Sequence, residues 1–367
     1  MDMSSNTAET QNRLTVLSIG TASAISAKAI ADGLQTSSDK VAEKLYRAPA
    51  VLVDNLSVQA SESLAELIQN LGIDVRIEPS DAPPPPPNEL FDISIHFSDI
   101  ESLPKVAYQL SAFLGTDTAT IVQLLLTPPA IVLGNVSQAT LQALSTRLDE
   151  PGVELIASRP TKALYSVIVR DLEKPQLQEL HQFVSRMGLS LSNLQDFGIT
   201  SIDYQTAQII WKHFGHRMPI QIVNQDFYRY DIKLETLPET NQLHAVEYLE
   251  NQIGIQTSDY DAITPHLPLV IQEGVSQESM QEIKANFEKH HIDISCHNIT
   301  FQRLHICITS TPSIESVNQV LQQLGLHDGL IHSLPFVTPR LTETCARLVK
   351  HFLEQNGAEV CYQEVTP

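Results

Sequence analysis

Residues 129–158, PAIVLGNVSQATLQALSTRLDEPGVELIAS, decide the fold, because the same thirty-residue pattern lies without a gap on four other stretches, beginning at Pro49, Asp196, Pro268 and Leu334. Each copy reads as a hydrophobic strand, a polar turn, a helix and a closing strand, and self-similarity at this scale sets architecture before any local propensity does. The ninth position is Ser57, Ser137, Ser276 and Thr342 in four copies, where a side-chain oxygen caps the first turn of a helix, and Tyr204 in the third. Position sixteen (Leu64, Leu144, Trp211, Ile283, Val349) and position twenty (Ile68, Leu148, Gly215, Phe287, Leu353) form an apolar i, i+4 stripe for one helix face to bury. Gly72, Gly152 and Gly357 stand where a helix ends in a left-handed residue, with Pro219 and His291 in the other copies. The closing strand alternates, and its predicted buried side carries Ile73 and Val75, Val153 and Leu155, Ile220 and Ile222, Ile292 and Ile294, and Ala358 and Val360.

The rest of the chain arranges itself around these copies. Residues 1–13 are polar and aperiodic and read as a disordered leader. A strand at 14–20, LTVLSIG, and helices around 23–31 and 39–46 then complete a first module over 14–79. The segment 80–89 is a proline-rich linker whose five consecutive prolines, 83–87, predict a polyproline II spacer of roughly 15 Å between the first module and the rest. Modules two to five follow at 90–159, 163–225, 228–298 and 302–364, opening on the strands FDISIHF, LYSVIV, YDIKLE and LHICIT. The expected fold class is α/β, as α+β sandwich repeats. Five tandem modules run strand, helix, helix, strand, helix, strand, each a three-stranded sheet backed by three helices. Modules this small bury little of their own surface, so neighbouring copies are expected to pack on one another.

The chain has 367 residues, with 23 basic against 43 acidic residues and a formal net charge of −20. That balance opposes binding to a phosphate backbone, so no nucleic-acid partner is expected. Four cysteines, Cys296, Cys307, Cys345 and Cys361, lack the spacing of a disulfide framework, and the N-terminal stretch lacks the basic start and apolar core of a secretory signal. A reducing, cytoplasmic setting is expected. No apolar run reaches the length of a membrane span.

The second module resembles the C-terminal domain of the bacterial ribosomal stalk protein, whose fold the Clp protease adaptor shares. The residues that carry the resemblance are FDISI from Phe91, then Lys105, Val106 and Ala107, then Pro129 and Ala130, Val136 and Ser137, and the strand GVELIAS. The fourth module repeats it with YDIKLE from Tyr230 and EGVS over 273–276. The resemblance implies a small α/β sandwich in each copy and, in the family, recruitment of translational GTPases through a basic helical surface. The two family lysines of the second helix fall on Asp39 and Ala42, on Ala119 and Val122, and on Ser258 and Asp261 in modules one, two and four. Only Lys105 stands where a basic residue is expected. Loss of those cations removes the charge complementarity that such docking uses.

The chain contains no phosphate loop, dinucleotide fingerprint, HExxH or nucleophile elbow. The nearest approach to a metal cluster is Cys296, His297, His305 and Cys307, on the last strand of module four and the first of module five. Alternation lets only three of them converge, and tetrahedral zinc wants four, so a buried cysteine and ordinary strand histidines are expected. His213, His216, His290 and His291 read as polar helix ends. Asp74, Glu154, Asp293 and Glu359 recur on the solvent side of the closing strand, where they blunt sheet-edge association. No catalytic, cofactor-binding or metal residue is assigned. The expected function is a non-enzymatic protein–protein interaction scaffold or adaptor with other proteins as partners. A homo-oligomeric or filament-forming structural protein is one version of it. A translation-factor or protease-associated adaptor, and a zinc-binding protein or enzyme, are the alternatives.

Overall fold

Five separate small antiparallel sheets, each with the first strand of its module in the centre, run along the chain in a computed structural model that describes residues 11–169, 172–191, 197–326 and 331–364. The chain divides into two units, residues 1–160 and 161–367. The first unit holds two complete modules. Module one is β1 (Asn12–Ser18), α1 (Ala24–Leu34), α2 (Ser38–Tyr46), β2 (Ala50–Leu56), α3 (Val58–Asn70) and β3 (Asp74–Pro79). Module two is β4 (Leu90–Phe97), α4 (Leu103–Leu114), α5 (Thr118–Leu125), β5 (Ile131–Ser137), α6 (Gln138–Arg147) and β6 (Val153–Ser158).

The second unit holds three modules. The third has β7 (Tyr165–Val169), α7 (Lys174–Arg186), β8 (Phe197–Ile202), α8 (Tyr204–Phe214) and β9 (Ile220–Asn224). The fourth has β10 (Arg229–Leu234), α9 (Leu243–Ile253), the single turn α10 (Tyr260–Ile263), β11 (Leu269–Ser276), α11 (Gln277–Lys289) and β12 (Ile294–Asn298). The fifth has β13 (Arg303–Ser310), α12 (Ile314–Gln323), β14 (Phe336–Val337), β15 (Leu341–Thr342), α13 (Glu343–Gln355) and β16 (Glu359–Glu364). In modules three and five the described residues carry one helix, not two, between the first and second strands. Leu189 and Leu191 in module three, and Leu326, Ile331 and Leu334 in module five, fill that side of the core from irregular backbone. Asn318 fastens the latter segment, donating to the Ile331 carbonyl at 3.1 Å and accepting from its N–H at 2.7 Å.

Alternation explains the cores. Ile93 and Ile95 of β4, Ile232 and Leu234 of β10, and Ile306 and Ile308 of β13 are each at most 4% exposed and face their helices. The caps follow the ninth column: Ser57, Ser137, Ser276 and Thr342 accept from the N–H of Ala60, Thr140, Ser279 and Cys345. The third copy departs by one residue. Its cap is Asp203, which accepts from Thr206, so Ile210 and Phe214 are buried while Trp211 is half exposed. The ungapped pattern therefore sits one place late there, and one place turns a helix by about 100°.

The missing residue lies beyond the cap: the closing-strand partners of Ile93 and Ile232, Ala157 and Cys296, stand 20 places after their caps (157−137, 296−276), whereas Ile222, the partner of Val167, stands 19 after Asp203 (222−203). The backbone before the cap is shared. In four modules a left-handed residue stands two places before the cap: Asn55, Asn135, Ser201 and Gly274, at φ 60, 57, 57 and 61. It bulges the second strand and turns it into the helix, and each of these strands shows a matching shift in register with its central strand. In module five the second strand is instead broken into β14 and β15. Thr338 spans the break, donating its N–H to the Ile306 carbonyl at 3.0 Å and accepting the Ile306 N–H on its hydroxyl at 2.9 Å.

Two boundaries differ from expectation. β1 begins at Asn12, inside the stretch read as leader, because Arg13 is buried at 4% exposure and pairs with Glu78 at 3.0 Å. Residues 1–10 lie outside the described residues. The proline segment does not hold the first two modules apart. Arg13 donates to the carbonyls of Ala82 at 2.9 Å and Pro83 at 2.6 Å, and Asn88 donates to that of Arg47 at 2.6 Å, so the segment is fastened at both ends to module one.

Candidate functional site

The contact between modules one and two is built mainly by one face of α6. Thr140 donates its hydroxyl to the Tyr46 carbonyl at the end of α2, at 2.8 Å, and Arg147 reaches the Ala22 carbonyl at 2.7 Å. Arg47 returns the contact by donating to the Asn135 carbonyl at 3.1 Å. The Arg147 guanidinium also lies 4.7 Å above the Phe113 ring, which meets Tyr46 edge to face at 5.8 Å. Burial pushes the Tyr46 hydroxyl pKa up, against the opposing effect of Arg147, and burial pushes Arg147 down. Ser137, Thr140 and Leu144 are all at most 1% exposed in consequence.

The equivalent face of α3 in module one is open. Ser57 and Ala60 are exposed, Leu64 is half buried, and Leu67 and Leu71 stand 63% and 38% exposed. Ala60, Leu64, Leu67 and Leu71 fall at i, i+4, i+7 and i+11, one apolar stripe along the helix. The corner of module two that corresponds to the seat of α6, around Asp99 and Thr127, is likewise exposed. The contact is therefore heterologous: α6 rests on its neighbour, and α3 does not return the favour. The sequence columns do not single out Thr140 and Arg147. Their signal is a break in type, polar residues where the first copy has Ala60 and Leu67.

In the second unit a different surface of the module is used. The face of the third sheet turned away from its helices is covered by Tyr228 and Phe301, which flank module four and pack with Ile168 and Val223. Their rings meet edge to face at 5.7 Å. The central strands carry a polar residue at one equivalent position: Arg13, Asp92, Ser166, Asp231 and His305. Asp92 accepts the Asn135 N–H at 2.9 Å and Asp231 the Gly274 N–H at 3.0 Å, so a carboxylate clasps the bulge in modules two and four. Burial pushes both carboxyls up, opposed by those N–H groups.

Glu343, at the start of α13, feels the Asp231 carboxylate in turn. Burial pushes the Glu343 carboxyl up, Arg347 at 3.5 Å opposes the rise, and the Asp231 carboxylate adds to it. A carboxyl raised in the fold holds its proton more tightly there than in the unfolded chain. Stability is then greatest below the ordinary glutamate range and falls as pH rises through it. Glu343→Gln is expected to raise the melting temperature at neutral pH by a few degrees, the scale of about 1 kcal/mol, with the gain vanishing near pH 4. Thermal unfolding at the two pH values checks this, and a loss at neutral pH would show that the Arg347 pair outweighs the burial.

The other residues singled out from sequence are dispersed. Cys296 and His297 lie on β12, in one sheet, and His305 and Cys307 on β13, in another. The His305 Nδ1 lies 2.7 Å from the Thr338 carbonyl, and Cys307 stands opposite Cys361. Among the described residues no three of the His, Cys, Asp and Glu side chains are grouped to hold a metal ion. His213 stacks on Phe183 and His290 on Tyr248, with ring centroids 4.4 and 4.2 Å apart. Asp74, Glu154, Asp293 and Glu359 are all exposed. Lys105 is held by Glu150 at 2.7 Å. A groove of about 480 Å³ beside β2 sets Lys40 and Lys44 over Leu34, Val41 and Leu52, and Lys44 donates to the Leu52 carbonyl. None of the described helices is long and apolar enough to cross a membrane. No family model matches the chain, and no curated protein or solved structure matches it.

Proposed function

We propose that the chain is a non-enzymatic interaction scaffold of the cytoplasm that assembles with further copies of itself, the α3 face of one copy seating on the second module of the next. The observation that carries this reading is the unequal treatment of one surface: the α6 face is buried on a module of the same kind, and the α3 face lies open as an apolar stripe. A heterologous contact of this sort leaves one donor face and one seat unfilled on every copy, and such contacts propagate when they do not close. The contact between modules one and two within a single chain is the precedent for what covers α3.

Leu67→Glu tests it. Leu67 is 63% exposed, so the variant keeps its fold. Placing a carboxylate in the centre of the contact is expected to weaken association by about 2 kcal/mol, roughly thirtyfold. Sedimentation across a concentration series reads the result. A sharp monomer for the unaltered chain at high concentration overturns the proposal, as does equal assembly by both proteins. Stoichiometric enrichment of an elongation factor or a Clp chaperone in a pull-down would favour the stalk-like adaptor role instead.

A further inference from the structure

Cys307 and Cys361 face each other directly across β13 and β16, one pair in an antiparallel register that also sets Ile306 against Tyr362 and Ile308 against Val360. Ile306 and Ile308 are fully buried against the helices, so the alternation of the strand puts Cys307 on the opposite face of the sheet, and Cys361 with it. Both are free thiols, Cys361 exposed and Cys307 partly so. Opposed residues of an antiparallel pair have Cα atoms about 4.5–5.5 Å apart, inside the window a disulfide accepts. The other two cysteines have no such partner: Cys296 stands opposite Ile232, and Cys345 lies in α13.

We propose that Cys307 and Cys361 form a redox modification site, a dithiol that a low-molecular-weight disulfide converts to a cross-strand disulfide tying the last strand to the centre of its sheet. With oxidised glutathione the steps balance as follows. The exposed Cys361 thiolate attacks one glutathione sulfur, breaking the glutathione S–S bond and expelling a glutathione thiolate, which takes up a proton. Cys307 then loses its proton and attacks the Cys361 sulfur, breaking the mixed disulfide and releasing the second glutathione. Two protein thiols are oxidised and one glutathione disulfide is reduced to two thiols. The order of attack follows from access, and it is supported by the Cys307 thiol, which partial burial and then the adjacent Cys361 sulfur push up.

The experiment treats the full chain with oxidised glutathione, alkylates the remaining thiols and maps the cysteines by mass spectrometry. The expected result is loss of alkylatable thiol at Cys307 and Cys361 together, with one peptide pair joined by a disulfide, while Cys296 and Cys345 remain alkylated. In Cys307→Ser the mixed disulfide is expected to accumulate on Cys361, because the second attack is lost. In Cys361→Ser, Cys307 is expected to stay reduced over the same interval. Recovery of Cys307 and Cys361 as thiols in the unaltered chain, stable glutathionylation of Cys361 there, or pairing of either with a cysteine of another chain overturns the proposal.

Discussion

Phe113→Ala is expected to loosen both modules of the first unit and not the second module alone. Phe113 is fully buried at the end of α4, where it serves as the floor for Arg147 of α6 and the edge-on partner of Tyr46 from module one. Removing a buried phenylalanine ring costs about 3–5 kcal/mol, since the lost contacts are joined by a cavity that the surroundings fill only in part. Tyr46 and Arg147 would keep their hydrogen bonds but lose the apolar surface that positions them. Hydrogen exchange read strand by strand is the measurement, because each module can report its own opening free energy. Protection should fall in β4 and also in β1. Unchanged protection in β1 would mean that the contact is a surface touch without energetic coupling.

The second large effect belongs to Arg13. Its guanidinium is buried, pairs with Glu78 through two nitrogens at 3.1 and 3.0 Å, and satisfies the Ala82 and Pro83 carbonyls. Arg13→Ala leaves the Ala82 and Pro83 carbonyls without their donor and leaves Glu78 to Arg76, whose Nε and Nη2 meet its other oxygen at 2.9 and 2.5 Å, a loss of about 2–3 kcal/mol. Lysine is not expected to rescue it, because a point charge cannot serve the carboxylate and two carbonyls at once. The variant should also be cut faster by proteases near Ala82 and Pro83, where it removes one of the two anchors of residues 80–89. The pH dependence has a definite sign. The Thr15 hydroxyl, followed by Arg13 and Arg76, holds the Glu78 carboxyl below its ordinary range, against the opposing effect of burial. The stability this contributes is present above the ordinary glutamate pKa and is lost as pH falls through the depressed one. Arg13→Ala should therefore narrow the difference in melting temperature between neutral pH and about pH 3. A variant as stable as the parent at neutral pH would remove Arg13 from any structural role.

Local chemistry is what the sequence makes readable. A serine or threonine at a helix start, an apolar residue every third or fourth place and an alternating closing strand each act within a few residues, so Ser137, Leu144 and Leu148 announce their module without help. The third copy is misplaced by one because Asp203 and Tyr204 are neighbours and an ungapped pattern has no way to register a path from cap to closing strand that is one residue shorter. Arg13 looks like leader because a charged residue near the start of a chain suggests solvent, and its partners lie some sixty-five to seventy residues away. Leu189, Leu326 and Ile331 replace a helix with irregular backbone, which leaves no period to detect. Thr140 and Arg147 acquire their role from carbonyls of another module, and the opposition of Cys307 and Cys361 exists only once β16 has found its place beside β13. What escapes the sequence is in each case a contact made over distance.

In every module the opening strand lies antiparallel to the closing one, and the register sets the two ends of the module side by side: Asn12 against Pro79, Asp92 against Ser158, Tyr165 against Asn224, Tyr230 against Asn298 and Leu304 against Glu364. A unit whose entrance and exit adjoin is a cassette. Duplicating or deleting one leaves the flanking chain with almost no gap to cross, so the number of modules could change in descent without any neighbouring sheet being rebuilt.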